Sequence, residues 1–283
     1  MRITAATRVY GIIGDPVAHS LSPVMQNAAF AAAGLDCVYV TFHVPGNRLR
    51  EAVEGMRALG VQGFNVTVPH KVAVLPLLDE VSPEAAAIGA VNTVKLQEGR
   101  LLGYNTDGRG FLRSLDADLG FRPEGRDIVV LGAGGAARAA VHSLCGCSPR
   151  RVVVANRTPS RAADLVAALR PLFPGVPLES CALSGGPFGD ALSGANLLVN
   201  TTSASLSCGG PVADLTLLPP GCAVYDMVYG ETPLVRQARE RDLRAADGLG
   251  MLVGQGEIAF SIWTGLEPPA GLMMQALRPA SCD

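Results

Sequence analysis

Short apolar, β-branched runs alternate along the chain with stretches of helical spacing, and glycine or proline marks most of the joints. Residues 10–14, 38–42 and 63–66 read as strands. Ser22-Pro23 opens a helix over 22–33 that Gly34 stops, and Gly60 stops a second helix over 49–59. A short helix is expected near 83–89. Residues 91–96 and 101–104 are expected to form a strand pair around Glu98-Gly99-Arg100. A second series begins after Gly125, with strands at 127–131, 151–155, 197–199 and 222–225 and helices at 136–144 and 160–169. From Gly248 the pattern is helical again, over 258–264 and 270–277. Alternation of this kind predicts an α/β fold with mainly parallel sheets covered by helices. A domain boundary is expected inside or near a helix at 107–119.

Composition adds limits. A chain of 283 residues suits one large or two ordinary domains, and 48% hydrophobic residues supply a real core. The 23 Lys+Arg against 25 Asp+Glu leave a net charge of -2. That balance argues against a nucleic-acid binder held by phosphate contacts, while leaving room for a small basic pocket. The start of the chain lacks the apolar stretch of a signal peptide. The uncharged stretch 191–213 holds Asn196, Asn200, Thr201 and Thr202, which makes it a poor membrane span. The cysteines at 37, 145, 147, 181, 208, 222 and 282 are odd in number and form no C-x-x-C pair. They read as reduced thiols, so a cytoplasmic location and no metal site are expected.

The strand at 127–131 runs into Gly132-Ala133-Gly134-Gly135-Ala136-Ala137, which then opens a helix. This is the G-x-G-x-x-A form of the dinucleotide fingerprint. Gly132 allows the tight turn, Gly134 lets the backbone approach a pyrophosphate, and Ala137 is small enough for helix–strand contact. The helix start offers unpaired N–H groups and partial positive charge. The next strand ends in Asn156-Arg157-Thr158, with Arg161 one turn on and no carboxylate in place for a ribose 2′-hydroxyl. Arginine beside Asn and Thr suits a 2′-phosphate, so NADP is expected rather than NAD.

Four polar clusters sit at strand ends, where open α/β sheets bind ligands. They are 14–23 with His19, Ser20 and Ser22; 65–71 with Asn65, Thr67, His70 and Lys71; 89–93 with Asn92; and 103–108 with Asp107. Ser20 and Ser22 at a helix start can hold a carboxylate. Asn65, Thr67, Asn92 and Asp107 can hold hydroxyl groups, and Lys71 is the one cation in the four clusters. Each also has a plainer reading: Ser22 and Asp107 as helix caps, Asn65 and Asn92 as turn residues, Lys71 as an exposed charge. His19 and His70 read as local hydrogen-bonding residues.

The clusters resemble the ordered motifs of the shikimate dehydrogenase family. S-x-S-P stands at 20–23, N-x-T-x-P-x-K at 65–71, G-A-x-N-T at 89–93 and N-T-D-G at 105–108. G-A-G-G-A follows at 132–136, N-R-T at 156–158, D-x-x-Y at 226–229 and G-M-L-V-x-Q at 250–255. The resemblance implies an N-terminal α/β substrate domain, 1–106, completed by helices at 248–283. It also implies a Rossmann-type NADP-binding domain, 107–247, with the active site in a cleft between the two. The implied activity is reversible NADPH-dependent reduction of 3-dehydroshikimate to shikimate, in aromatic amino-acid biosynthesis, by a monomer or homodimer. A quinate/shikimate enzyme of broader substrate or cofactor use is the alternative. On this resemblance Lys71 and Asp107 are the catalytic pair. Ser20, Ser22, Asn65, Thr67, Asn92, Tyr229 and Gln255 also contact substrate. Gly132, Ala133, Gly134, Gly135, Ala136, Asn156, Arg157, Thr158, Arg161, Met227 and Gly248 contact cofactor. Two departures stand out: the family's Gly-Met pair is missing from the segment after Asn200, and Gly254 stands where a larger residue is common.

Overall fold

The computed structural model describes residues 3–202 and 212–278. They divide into two compact units, one running to Thr106 and resuming at Val253, the other Asp107–Leu252.

In the first unit the order is β1 (Arg8–Gly14), α1 (Ser22–Ala32), β2 (Cys37–His43), α2 (Leu49–Ala58), β3 (Gly63–Val66), β4 (Glu80–Val81), α3 (Pro83–Ile88), β5 (Thr93–Gln97) and β6 (Arg100–Tyr104). The sheet order is β2-β1-β3-β5-β6-β4. Strands β2, β1 and β3 are parallel, whereas β5 runs antiparallel to both β3 and β6. The sheet is mainly parallel, as expected, with β5 its one reversed strand, and the turn explains the reversal. Gln97 pairs with Arg100, leaving a two-residue loop of Glu98 (φ 52°) and Gly99 (φ 76°). Two successive positive φ values make the tight turn that matches strand twist, and a loop that short joins only antiparallel strands. Strand β4 is two residues long and carries no run of its own for the sequence to betray.

One face of this sheet packs Phe64, Val66, Val94 and Leu101 against Val53 and Met56 of α2. Aromatic rings fill the other side, where Tyr10 and Tyr39 lie 5.4 and 6.0 Å from Trp263. Trp263 belongs to α9 (Leu249–Thr264), and its Nε1 donates to the Val94 carbonyl at 2.9 Å. A Cβ at Gly63 would collide with that indole, so the strand admits only glycine beneath it. Helix α9 also meets α1, where Gln26 Nε2 donates to the Gly256 carbonyl at 2.9 Å. Helix α10 (Leu272–Leu277) buries Met273.

The second unit contains α4 (Asp107–Leu119), β7 (Asp127–Leu131), α5 (Gly135–Cys145), β8 (Arg151–Asn156), α6 (Pro159–Leu169), β9 (Leu178–Ala182), α7 (Gly186–Ser193), β10 (Leu197–Asn200), β11 (Ala223–Asp226), α8 (Pro233–Glu240) and β12 (Arg244–Ala246). Its sheet is parallel throughout, in the order β12-β11-β10-β7-β8-β9. Val130, Val152 and Val154 face a core with α4, α5 and α6. Val129, Leu131 and Val153 face the opposite core, with α7 and α8. Both faces are covered, so successive strand residues are all apolar, and β7 and β8 read as continuous hydrophobic runs. This is the doubly wound dinucleotide-binding arrangement.

Candidate active site

Register builds the first unit's polar cluster. Asn65 on β3 lies between Ile12 of β1 and Thr93 of β5. Its Oδ1 accepts from the Tyr39 hydroxyl at 2.7 Å. Its Nδ2 donates to the Asn92 carbonyl at 3.1 Å and to Thr93 Oγ1 at 3.0 Å. Asn92 is held in turn: its Oδ1 accepts from the Thr106 N–H at 2.8 Å, and its Nδ2 donates to Thr106 Oγ1 at 2.9 Å. The same Nδ2 reaches Gln255 Oε1 of α9 at 3.4 Å. Asn65, Asn92, Thr93, Thr106 and Gln255 are all buried. Burying this many amides and hydroxyls costs free energy unless each is bonded, so the network is a rigid platform.

Around the platform lie the other polar positions. Ser22 is buried in the first turn of α1, with its N–H donating to Ser20 Oγ at 3.3 Å. The helix cap is Leu21, so Ser22 is not the N-cap its sequence context allows. The Ser22 side chain hydrogen-bonds Tyr39, opposing the burial that pushes that phenol well above its ordinary range. Thr67 donates its N–H to the Ile13 carbonyl at 3.0 Å, and Lys71 accepts at its carbonyl from Val91 N–H at 2.8 Å. Lys71 itself is half-buried. His70 is buried and its Nε2 donates to the Val44 carbonyl at 2.7 Å, a structural tie.

In the second unit, Gly132 has φ 110°, and a Cβ there would collide with Thr201 Oγ1. Gly134 is the N-cap of α5, brings no capping side chain, and has open space where a Cβ would go. The first-turn amides of α5 therefore face outward with no acidic residue among them. Ala137 is fully buried against the sheet. At the end of β8, Asn156 Nδ2 donates to the Thr158 carbonyl at 2.8 Å. Arg157 and Arg161 are exposed, and among the described residues neither guanidinium has a side-chain partner. A cradle with open space, an uncapped helix start and two uncommitted arginines fit a phosphate-bearing dinucleotide. Met227 and Gly248 are adjacent: Gly248 N–H donates to the Val228 carbonyl at 3.1 Å, and a Cβ at Gly248 would collide with the Met227 carbonyl. Buried Asp226 holds this turn, accepting from Asn200 Nδ2 at 2.9 Å, Val228 N–H at 3.1 Å and Thr232 Oγ1 at 2.7 Å. Asp107, buried, begins α4, and Tyr229 follows β11.

Three family models match in chain order. The shikimate dehydrogenase substrate-binding domain covers residues 12–94. The shikimate/quinate 5-dehydrogenase domain covers 117–205, and the shikimate 5′-dehydrogenase C-terminal domain covers 248–278. The shikimate dehydrogenase (NADP(+)) of Geobacter metallireducens is 52% identical over 99% of both chains. The chain belongs to the shikimate dehydrogenase family. A crystal structure of shikimate dehydrogenase from Aquifex aeolicus has a TM-score of 0.89 at 42% identity, covering 98% of this chain and 100% of that one. The Thermus thermophilus enzyme in complex with NADP(H) and shikimate has a TM-score of 0.83 at 38% identity, over 95% and 98% of the two chains.

The fold brings Ser22, Asn65, Asn92 and Gln255 into one hydrogen-bonded neighbourhood of the first unit, with Ser20, Thr67 and Lys71 on the adjoining segments. Asp107, Tyr229 and all the expected cofactor residues belong to the second unit. Sequence reasoning assigned no role to Tyr39, Thr93 or Thr106, although Thr93 and Thr106 lie inside quoted motifs. Tyr39 carried no polar signal, because a tyrosine in a strand reads as core. The segment lacking the family's Gly-Met pair extends outside the described residues.

Proposed function

We propose that this chain is an NADP-dependent shikimate dehydrogenase, an oxidoreductase of CH–OH groups that interconverts 3-dehydroshikimate and shikimate in the shikimate pathway. The observation that carries the reading is the Asn65–Asn92–Gln255 platform, which sets hydroxyl-binding amides beside the segment bearing Lys71. Ser20 and Ser22, at the start of α1, hold the substrate carboxylate with hydroxyls and the positive end of the helix. Asn65, Thr67, Asn92, Tyr229 and Gln255 hold its hydroxyl groups. Asp107 accepts from a substrate hydroxyl.

Bound NADPH supplies the hydride that the carbonyl carbon receives. Lys71 stabilises the negative charge that develops on the carbonyl oxygen and delivers the proton that oxygen needs; in the oxidative direction it takes that proton back. The backbone of Gly132, Ala133, Gly134, Gly135 and Ala136 would hold the cofactor's pyrophosphate. Asn156, Arg157, Thr158 and Arg161 would hold its 2′-phosphate, and Met227 and Gly248 would border its nicotinamide end.

The protein works in the cytoplasm as a monomer or homodimer; among the described residues no helix is long and apolar enough to cross a membrane. The test is NADPH formation from shikimate and NADP, with quinate and NAD as parallel arms. Robust turnover with shikimate and NADP is expected. No NADPH at high enzyme concentration defeats the reading, and equal efficiency with quinate or NAD favours the broader quinate/shikimate alternative.

A further inference from the structure

The second unit has a half-open polar cavity at the amino ends of its strands. Its volume is about 260 Å³, and it is lined by Gly120, Phe121, Arg122, Arg126, Asn196, Gly221 and Arg244. Arg126 immediately precedes β7, Asn196 precedes β10, and Arg244 is the first residue of β12. The dinucleotide fingerprint begins at the other end of β7, after five strand residues. At roughly 3.3 Å per residue, the two ends are about 15–20 Å apart.

Three arginines are among the lining residues and no aspartate or glutamate is. Buried Asp127, the first residue of β7, is already taken by Arg150, whose Nε and Nη2 both donate to it, at 2.7 and 2.5 Å. Asn196 Oδ1 accepts from the Asp127 N–H at 3.0 Å, leaving its Nδ2 as a donor. Arg244 is fixed in place by donating Nη1 to the Leu119 carbonyl at the end of α4, at 2.6 Å. Arg122 has only a distant, exposed contact with Asp116, 3.8 Å. Among the described residues Arg126 has no side-chain partner.

We infer that this cavity is a second oxyanion site, taking a phosphate- or diphosphate-bearing small molecule. Guanidinium groups bind phosphate oxygens in bidentate pairs, and three arginines around a cavity without an acidic lining residue favour a multiply charged oxyanion. The inference is independent of the reaction assigned above.

The test is calorimetric titration of pyrophosphate, and separately of inorganic phosphate, into protein saturated with NADP so that the cofactor's phosphate sites are filled. The variant is Arg122→Ala with Arg126→Ala, which spares the Arg244 tie. Saturable binding of either probe at low salt is expected, weakened about tenfold or more in the variant and by high salt. Tighter binding of pyrophosphate assigns the site to diphosphates, and equal binding to single phosphates. Shikimate and NADP kinetics of the variant should equal those of the unaltered protein, showing that it is folded. Absence of saturable binding, or binding indifferent to the two substitutions, overturns the inference.

Discussion

The Tyr39 hydroxyl donates to Oδ1 of Asn65 at 2.7 Å, and both residues are buried. Both Nδ2 hydrogens of Asn65 are spent on Asn92 and Thr93. The amide is therefore locked in one orientation and presents only an Oδ1 lone pair to a ligand, as an acceptor for a hydroxyl. Tyr39→Phe leaves that oxygen buried without its donor. A stability loss of about 1–3 kcal/mol is expected in urea denaturation, because an unsatisfied buried acceptor bears its full desolvation penalty. KM for shikimate should rise several-fold while KM for NADP stays unchanged. An unaltered shikimate KM would mean that Asn65 does not depend on this bond.

Lys71 is the proton-transfer group of the proposed reaction. Lys71→Ala should lower kcat by about 10²-fold or more with little change in KM, the usual scale for a positioned acid–base group. A near-normal kcat removes Lys71 from the mechanism.

Arg157 and Arg161 are exposed and have no side-chain partner among the described residues. Removing them costs no folded-state contact, so the effect is on cofactor choice. Arg157→Ala with Arg161→Ala should raise KM for NADPH by about 10–100-fold, as loss of charged hydrogen bonds predicts, and leave NADH kinetics unchanged. Equal loss with both cofactors would place the arginines away from the 2′-phosphate.

Gly132 and Gly134 are both glycines of the fingerprint but fail differently when substituted. Gly132 has φ 110° and lies against Thr201, so Gly132→Ala should cost about 1–3 kcal/mol of stability. Gly134 has an extended backbone and open space for a Cβ. Gly134→Ala should keep its melting temperature and lose NADP affinity, read by thermal melts with and without NADP. A Gly134→Ala protein that binds NADP normally would take the pyrophosphate off this loop.

Burial pushes the thiols of Cys145 and Cys222 up to about 12. The thiolate is the reactive form, so at pH 8 these two cysteines stay protonated in the folded protein. An iodoacetamide pulse followed by peptide mapping should leave both unlabelled in native protein and label both in urea. Rapid native labelling at either site would contradict its burial.

The strands at 127–131 and 151–155 are legible in the sequence because a strand covered on both faces is apolar at successive positions, here 128–131 and 152–155, a purely local requirement. The fingerprint is legible for the same reason: φ 110° at Gly132 and an open cradle at Gly134 are demands on single residues. Strand β9 (Leu178–Ala182) has two exposed residues in five, and α8 has a largely polar sequence, so neither announces itself. The polar motifs can be named from the chain, but their hydrogen bonds cannot.

Asn92 meets Gln255 across 163 residues, and Asn65 meets Thr93 only because β3 and β5 pair antiparallel in one register. The turn at Glu98-Gly99 sets the direction of β5 and β6, and the seat of Trp263 over Gly63 sets the docking of α9 on this sheet. Backbone propensity and hydrophobic period act over a few residues, so the linear chain carries the elements, the glycine positions and the chemical types of the site. Register and helix docking arise from burial among segments far apart in the chain, so only the folded structure decides which amide faces which hydroxyl.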